Sequence, residues 1–201
     1  MRSQVLTVIL LVTIILGASL PFSYAYENTP RLTVGTQEIG LSAGYLLPTC
    51  TRSKCKTKQS GPAIMPSWMM TLTDPIGDSW YQGQISLGVE IVYIQFQEPV
   101  FSHGIGFTPR IKYTFVALDR IRPYVEFAGG PFWNDLAGNI PEQNSQFAFI
   151  LTGGLGVSYF LSNQVALNVG YRFQHISNAH TSYPNAGLNS SLPFGGFSFY
   201  F

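Results

Sequence analysis

Apolar and polar residues alternate along most of this chain, with the period of two that is typical of β-strands with one apolar face. The alternation predicts eight strands, at residues 32–46, 63–73, 81–97, 104–117, 122–133, 146–160, 164–177 and 190–201. Each is at least about as long as the roughly 9–11 residues that a tilted strand needs to cross a bilayer. Because eight is the smallest usual strand number of an outer-membrane barrel, we predict an eight-stranded antiparallel transmembrane β-barrel.

The connections between the predicted strands have unequal lengths. Long loops are predicted at residues 47–62, 134–145 and 178–189. Short turns are predicted at residues 74–78, 118–121 and 161–163. The connection around Glu98 and Pro99 is also short, which departs from a strict alternation of short and long. Short turns at one end and mostly long loops at the other are typical of outer-membrane barrels, whose long loops face outward from the cell.

The two faces of each strand are assigned by parity, as the seventh strand illustrates. Its odd positions from Val165 to Phe173 are apolar and are expected to face lipid, whereas its even positions include Asn168, Arg172 and Gln174. The same rule assigns several charged residues to the interior: Glu90, Arg110, Lys112, Arg122, Glu126 and Arg172. Since an eight-stranded barrel is filled by side chains, we interpret them as a paired polar plug, with a proton path or channel as the alternative.

The composition supports a membrane barrel. Charged residues make up 10% of the chain, against roughly 25% in typical globular proteins, and aromatic residues make up 14%. After the first 25 residues, no apolar run approaches the roughly 20 residues of a membrane helix. A secreted β-sandwich is the competing interpretation.

The N-terminal segment 1–25 has the features of a secretory signal peptide. Arg2 provides the positive charge, residues 5–16 form an apolar core, and Ser23 and Ala25 are the small residues before the expected cleavage site. A retained anchor helix is the alternative. Residues 26–201 are then one barrel domain. Without Arg2 it has ten basic and ten acidic side chains, and this balance argues against nucleic-acid binding.

Both cysteines, Cys50 and Cys55, lie in the first long loop. Export implies an oxidising compartment, so a small disulfide loop is expected, and a metal site is disfavoured because no histidine lies nearby in sequence. The loop also has four basic residues, Arg52, Lys54, Lys56 and Lys58. They are expected either to contact lipopolysaccharide phosphates or to be a solvated loop tip.

The stretch YRFQHISNAH at residues 171–180 contains the candidate chemistry. His175 and Ser177 have the parity of Tyr171 and Phe173, so both are expected on the lipid-facing wall, near the loop end of the seventh strand. Residues two apart on a strand are about 6.6 Å apart at Cα, which allows a histidine to act as base for a serine nucleophile. Placement at headgroup level without a catalytic role is the alternative.

Three segments resemble the PagL-type lipid A 3-O-deacylase family: HISNA from His175, PNAGLN at residues 184–189, and RPYVEFAGGPFW at residues 122–133. The family consists of outer-membrane barrels whose active site lies on the outer wall. The resemblance implies that Ser177 is the nucleophile and His175 the general base, with Asn178 and Asn185 where oxyanion donors are expected.

This chain departs from the family at one residue of the catalytic triad, the third member that accompanies the serine and the histidine. The best-known members have a glutamate there, and this chain has Asn189. An asparagine oxygen can orient the histidine, as in Cys-His-Asn enzymes, but it cannot stabilise an imidazolium as a carboxylate does. Asp135 and Glu142 in the fifth loop are candidate substitutes.

The resulting hypothesis is a serine esterase, a hydrolase that removes the 3-O-linked acyl chain from lipid A in the outer leaflet. It implies no cofactor and no metal, and the partner is lipopolysaccharide. The alternatives are a transferase that uses the same acyl-enzyme, a catalytically weak or inactive barrel with a structural or lipid-binding role, and an adhesin-like barrel. Oligomeric state is left open, with a homodimer as one option.

Overall fold

The protein folds into a closed barrel of eight antiparallel strands, seen in a computed structural model that describes residues 32–49 and 57–201. The expected signal peptide at 1–25 and both cysteines, Cys50 and Cys55, lie outside the described residues. Their leader and disulfide roles therefore stay predictions. Within the described residues, no helix has the length and apolar character needed to cross a membrane.

The eight strands follow one another around the barrel in chain order. They are β1 (Gln37–Pro48), β2 (Gly61–Thr71), β3 (Gly83–Phe96), β4 (Ser102–Phe115), β5 (Ile121–Asn134), β6 (Phe147–Phe160), β7 (Val165–Ser177) and β8 (Leu188–Tyr200). Each strand pairs with the next, and β1 also pairs with β8 to close the barrel. The predicted fold is confirmed, and all eight predicted strands are present.

Most strand boundaries lie within two residues of the sequence prediction, and two features differ by more. β1 begins at Gln37 rather than at residue 32, because the Thr36 amide donates to the Thr33 carbonyl at 3.0 Å and forms a turn there. The connection between β2 and β3 spans residues 72–82 and contains a 3₁₀ helix, Ser79–Tyr81. The prediction of a short turn at residues 74–78 was therefore wrong, because the connection is longer.

The ends of β1, β3, β5 and β7 and the starts of β2, β4, β6 and β8 lie at one end of the barrel, which we call the loop end. The opposite end is the turn end. Side chains alternate as predicted: in β7 Val169 and Tyr171 are about half exposed, whereas Arg172 and Gln174 are buried. The outer wall is therefore apolar over most of its area, as a barrel surrounded by lipid requires.

A network of ion pairs fills the middle of the lumen. Arg172 donates from Nε to Glu126 at 2.6 Å and from Nη1 to Glu90 at 2.7 Å. Arg110 donates to the same two carboxylates. Lys112 pairs with Glu38 of β1. Buried charges are tolerated when they are paired in this way.

One predicted member of this network lies elsewhere. Arg122 donates to the carbonyls of Val116 and Asp119, both at 2.9 Å, in the turn before β5. Glu38, which the sequence pattern did not assign to the interior, joins the network by pairing with Lys112. The reason is register: parity indicates the face of a side chain but not the height at which it meets the opposite wall.

Apolar layers cover the ion network on both sides. Toward the loop end the lumen contains Phe96, Phe132, Ile150, Ile176 and Leu192, and toward the turn end Phe160 and Tyr200 pack together. A polar cavity beside Glu38 and Arg110 measures about 10 Å³, which is room for about one water molecule. This filling favours the structural plug over the channel.

Candidate active site

The register of β7 and β8 places His175 directly opposite Asn189 on the outer wall. The His175 Nδ1 and Asn189 Oδ1 atoms are 2.7 Å apart. An amide oxygen only accepts, so in this amide orientation Nδ1 bears the proton. The neutral ring then presents an unprotonated Nε2, which is the atom that a general base uses.

Ser177 lies two residues beyond His175, on the same face of β7 and at its last position. Both side chains are half-buried, and Ser177 is paired across the sheet with Phe149 of β6. Among the described contacts there is no hydrogen bond between the Ser177 hydroxyl and the His175 ring. Catalytic hydrogen bonds are often long in ligand-free sites and tighten when substrate binds. The arrangement therefore suits a nucleophile and base that engage on binding.

Gly187 contacts the His175 ring and was missed by sequence reasoning. Its φ is +70°, and a Cβ built on it would lie 2.6 Å from His175 Cε1. A larger residue would therefore both strain the backbone and push the imidazole. The available signal was the glycine inside PNAGLN, two residues before Asn189.

We expect Gly187→Ala to lower the esterase activity predicted from the sequence about tenfold or more, because the added methyl displaces the His175 ring from Asn189. The folded fraction is expected to remain high, since a left-handed conformation at alanine costs only about 1–2 kcal/mol. The measurement is ester hydrolysis by folded protein. Gly138→Ala is the matched control, because Gly138 also has a positive φ (+79°) but meets no atom within 4 Å. Equal losses in both variants would contradict the packing role.

The two asparagines predicted as oxyanion donors organise the loop 178–187. Asn178 is fully buried, and its side chain donates to the Ser182 carbonyl at 2.8 Å and accepts the His180 amide at 3.0 Å. The backbone amide of Asn178 in turn donates to Asn185 Oδ1 at 3.2 Å. The Asn185 carboxamide thus lies next to Ser177, and no described hydrogen bond uses its Nδ2.

The described contacts of the two candidate acids in the fifth loop do not include His175. The Glu142 carboxylate accepts the Thr57 amide at 2.8 Å and the Thr57 hydroxyl at 2.5 Å, and it is buried there. The Asp135 backbone amide donates to the carbonyl of His103 in β4. The described contacts of His175 therefore point to Asn189 as its partner.

Gln143 of the same loop supports the strand end and was also missed. It is completely buried, and its Nε2 donates to the Ile176 carbonyl at 3.1 Å, between His175 and Ser177. Its backbone forms a bridge with Asn185. No pattern in the sequence indicated this residue, because it lies in an irregular loop.

Hydroxyl groups beside the site also form hydrogen bonds with one another. Ser191 Oγ lies 2.5 Å from both Tyr171 Oη and Thr49 Oγ1, and the Thr49 amide donates to the Asn189 carbonyl. These groups extend the polar area of the wall around His175. Within the described residues, no group of three or more His, Cys, Asp or Glu side chains is placed to hold a metal ion.

Comparisons with known proteins bear on the family and the fold. The family model described as lipid A 3-O-deacylase (PagL) matches residues 38–193. The crystal structure of the outer-membrane enzyme PagL is 20% identical with a TM-score of 0.55, over 79% of this chain and 97% of that one. Neisserial surface protein A is 15% identical with a TM-score of 0.56, over 83% and 99%. OprG from Pseudomonas aeruginosa is 15% identical with a TM-score of 0.50, over 87% and 99%.

These structural likenesses show the fold, that of an outer-membrane β-barrel. A search of curated proteins found no match.

Proposed function

Because the chain belongs to the lipid A 3-O-deacylase (PagL) family, whose model covers residues 38–193, we propose that it removes the 3-O-linked acyl chain from lipid A. The enzyme spans the outer membrane as a multi-pass barrel and acts on lipopolysaccharide in the outer leaflet. The observation that carries the proposal is the His175–Asn189 pair at 2.7 Å on the outer wall, with Ser177 on the same face.

In the first half-reaction the Ser177 oxygen attacks the acyl carbonyl while its proton passes to His175 Nε2. The Asn189 oxygen holds the Nδ1 proton and so keeps the ring in the required tautomer. The tetrahedral intermediate then breaks its bond to the lipid A oxygen, which takes the proton from His175. The products are deacylated lipid A and an acyl ester on Ser177.

In the second half-reaction a water molecule attacks the Ser177 ester, again with His175 as base. Collapse of this intermediate releases the fatty acid and restores the serine hydroxyl. The Asn185 amide is the candidate oxyanion donor, because its Nδ2 is not used by a described hydrogen bond and its Oδ1 is tied to Asn178. Asn178 itself then supports the loop that presents Asn185.

Asn189 favours a second candidate, a barrel of this family that binds lipid A but turns it over slowly or not at all. Without a carboxylate, the imidazolium formed during attack lacks a compensating charge. The oligomeric state stays open, with a homodimer as one option, since no comparison bears on it.

The test is incubation of the purified barrel with lipopolysaccharide in detergent, followed by mass spectrometry of lipid A. We expect loss of one 3-hydroxyacyl chain and release of the matching free fatty acid. A family enzyme with a glutamate triad serves as positive control. If that control deacylates lipid A and this protein does not under the same conditions, the esterase proposal is wrong and the binding protein is favoured.

A further inference from the structure

The segment 57–60, which precedes β2, connects three separate places at the loop end of the barrel. Ser60 forms a bridge with the connection between β3 and β4. Thr57 is bonded to the Glu142 carboxylate, in the connection between β5 and β6. Between these two contacts, the Gln59 side chain reaches the start of β8. We call this segment the brace, because it joins parts of the barrel that are not neighbours in the sheet.

Gln59 binds the backbone that presents Asn189. Its side chain is buried, and Nε2 donates to the Asn189 carbonyl and to Ser190 Oγ, both at 2.8 Å. The Thr49 amide, just after β1, donates to the same carbonyl at 3.0 Å. Asn189 is the second residue of β8, and strand ends open more readily than strand centres. The brace therefore restrains the Asn189 backbone where the sheet itself restrains it least.

The presence of a carboxamide at this place is informative, because packing alone does not require it. The nearby layer of the lumen is apolar, with Phe96, Ile176 and Leu192 among its members. A buried amide costs about 1–3 kcal/mol when its hydrogen bonds are not made, whereas an apolar side chain of similar size has no such cost. What Gln59 provides, and an apolar residue would not, is the pair of hydrogen bonds to the start of β8.

Gln143 makes the corresponding contact on the other strand of the site. Its buried Nε2 donates to the carbonyl of Ile176, the residue between His175 and Ser177. Each strand that holds the proposed catalytic groups is therefore bonded by a buried glutamine, and the two glutamines come from different loops. Gln59 does for β8 what Gln143 does for β7.

The brace and the fifth loop form one hydrogen-bonded unit through Glu142. Its carboxylate accepts the Thr57 amide at 2.8 Å and the Thr57 hydroxyl at 2.5 Å. Its backbone carbonyl accepts the Ala186 amide at 2.9 Å, one residue before the Gly187 that packs against the His175 ring. Gln59 is thus held by a unit that also contacts the loop before β8.

We propose that Gln59 is a positioning residue of the active site, an inference that rests on the proposed esterase function. It acts through the Asn189 backbone and keeps the Asn189 oxygen 2.7 Å from His175 Nδ1. Its loss changes the geometry of this pair and leaves the outer wall, where lipid A binds, as it is. The first long loop is therefore needed for turnover, although the catalytic groups lie on β7 and β8.

The kinetic test is Gln59→Met, which removes both hydrogen bonds and fills the space with a flexible apolar side chain. The matched control is Gln84→Met at the turn end. Gln84 and Gln59 are both 2% exposed, and Gln84 Nε2 also makes two bonds, to the carbonyls of Leu32 at 2.8 Å and Thr73 at 3.0 Å. With lipopolysaccharide as substrate, we expect Gln59→Met to lower kcat about tenfold with KM unchanged, and Gln84→Met to change neither. Gln59→Leu is the second variant if Gln59→Met does not fold.

A second measurement does not depend on turnover. The tautomer of a neutral histidine is set by its hydrogen bonds, here the bond from Nδ1 to Asn189. Ring ¹⁵N NMR of the barrel in detergent micelles at about pH 9, where an ordinary histidine is neutral, reports the tautomer. The chain has three histidines, so His175→Ala assigns the signals. We expect the Nδ1–H tautomer in the wild type and in Gln84→Met, and loss of about half of it in Gln59→Met.

The outcomes separate this proposal from the esterase itself. In an active wild type, the proposal requires that Gln59→Met lower kcat and shift the His175 tautomer, and the absence of either effect overturns it. Equal effects of Gln59→Met and Gln84→Met, or a rise in KM alone, overturn it as well. If the wild type does not deacylate lipid A, the esterase is rejected and the tautomer alone decides. A shift confined to Gln59→Met then keeps the positioning role, and an unchanged tautomer rejects it.

Discussion

Ser177→Ala is expected to reduce release of the 3-O-acyl chain from lipid A by at least about 10⁴-fold, to the background rate. The alanine has no oxygen to attack the ester, and the loop residues that remain cannot replace a covalent nucleophile. Fatty acid release and lipid A mass are measured on folded barrel. Ser191→Ala is the control, because Ser191 is a second outward-facing serine on the neighbouring strand.

The same experiment tests whether Ser177 and His175 act as a unit. Residues of one nucleophile–base pair are strongly non-additive, so Ser177→Ala with His175→Ala should lose no more activity than Ser177→Ala alone. Substantial activity in Ser177→Ala, or equal losses in Ser177→Ala and Ser191→Ala, would mean that the nucleophile lies elsewhere.

Asn189→Asp and Asn189→Glu are expected to raise kcat by about 100-fold or more. Exchange of the acid for asparagine in a Ser-His-Asp enzyme lowers kcat by about 10⁴, mainly because the histidine takes the wrong tautomer. Here the Asn189 oxygen already accepts a hydrogen bond from Nδ1 at 2.7 Å, so part of this orientation is retained and the missing contribution is charge. The aspartate keeps the side-chain length, and the glutamate matches the family residue.

Steady-state kinetics on lipid A separates this outcome from a change in binding, since kcat should rise while KM changes little. Neither substitution should restore activity when combined with Ser177→Ala. A fall in kcat for both acids would contradict the assignment of Asn189 as the third member. It would mean that the amide group itself takes part, for example by donating from Nδ2.

Much of the fold and part of the site could be predicted from the sequence. Side chains of a strand alternate between its two faces, so the position of a residue predicts the face on which it lies. Parity placed His175 and Ser177 on one outer wall before any pairing was known, and the family resemblance pointed to Asn189. The register of β7 and β8 then brought His175 and Asn189 together, as the structure shows.

Parity could not predict contacts between elements that are distant in sequence. Glu38 meets Lys112 across the lumen, and Gln143 reaches Ile176 from an irregular loop. The close approach of Gly187 to His175 depends on backbone conformation, which a period of two does not encode. The ladder between β4 and β5 is interrupted between Gly106 and Arg110, and a regular alternation of apolar and polar residues conceals such a gap.

The lumenal ion network has a consequence for how the barrel is assembled. Arg172 of β7 neutralises Glu90 of β3 and Glu126 of β5, which lie on other walls. In a partial sheet of β1 to β6, Arg110 alone would face these two carboxylates, and that local charge imbalance is costly in a lipid environment. The charges of the network balance only when the C-terminal hairpin, β7 and β8, joins the sheet. Barrel closure and full membrane insertion are therefore expected to occur as a single cooperative step.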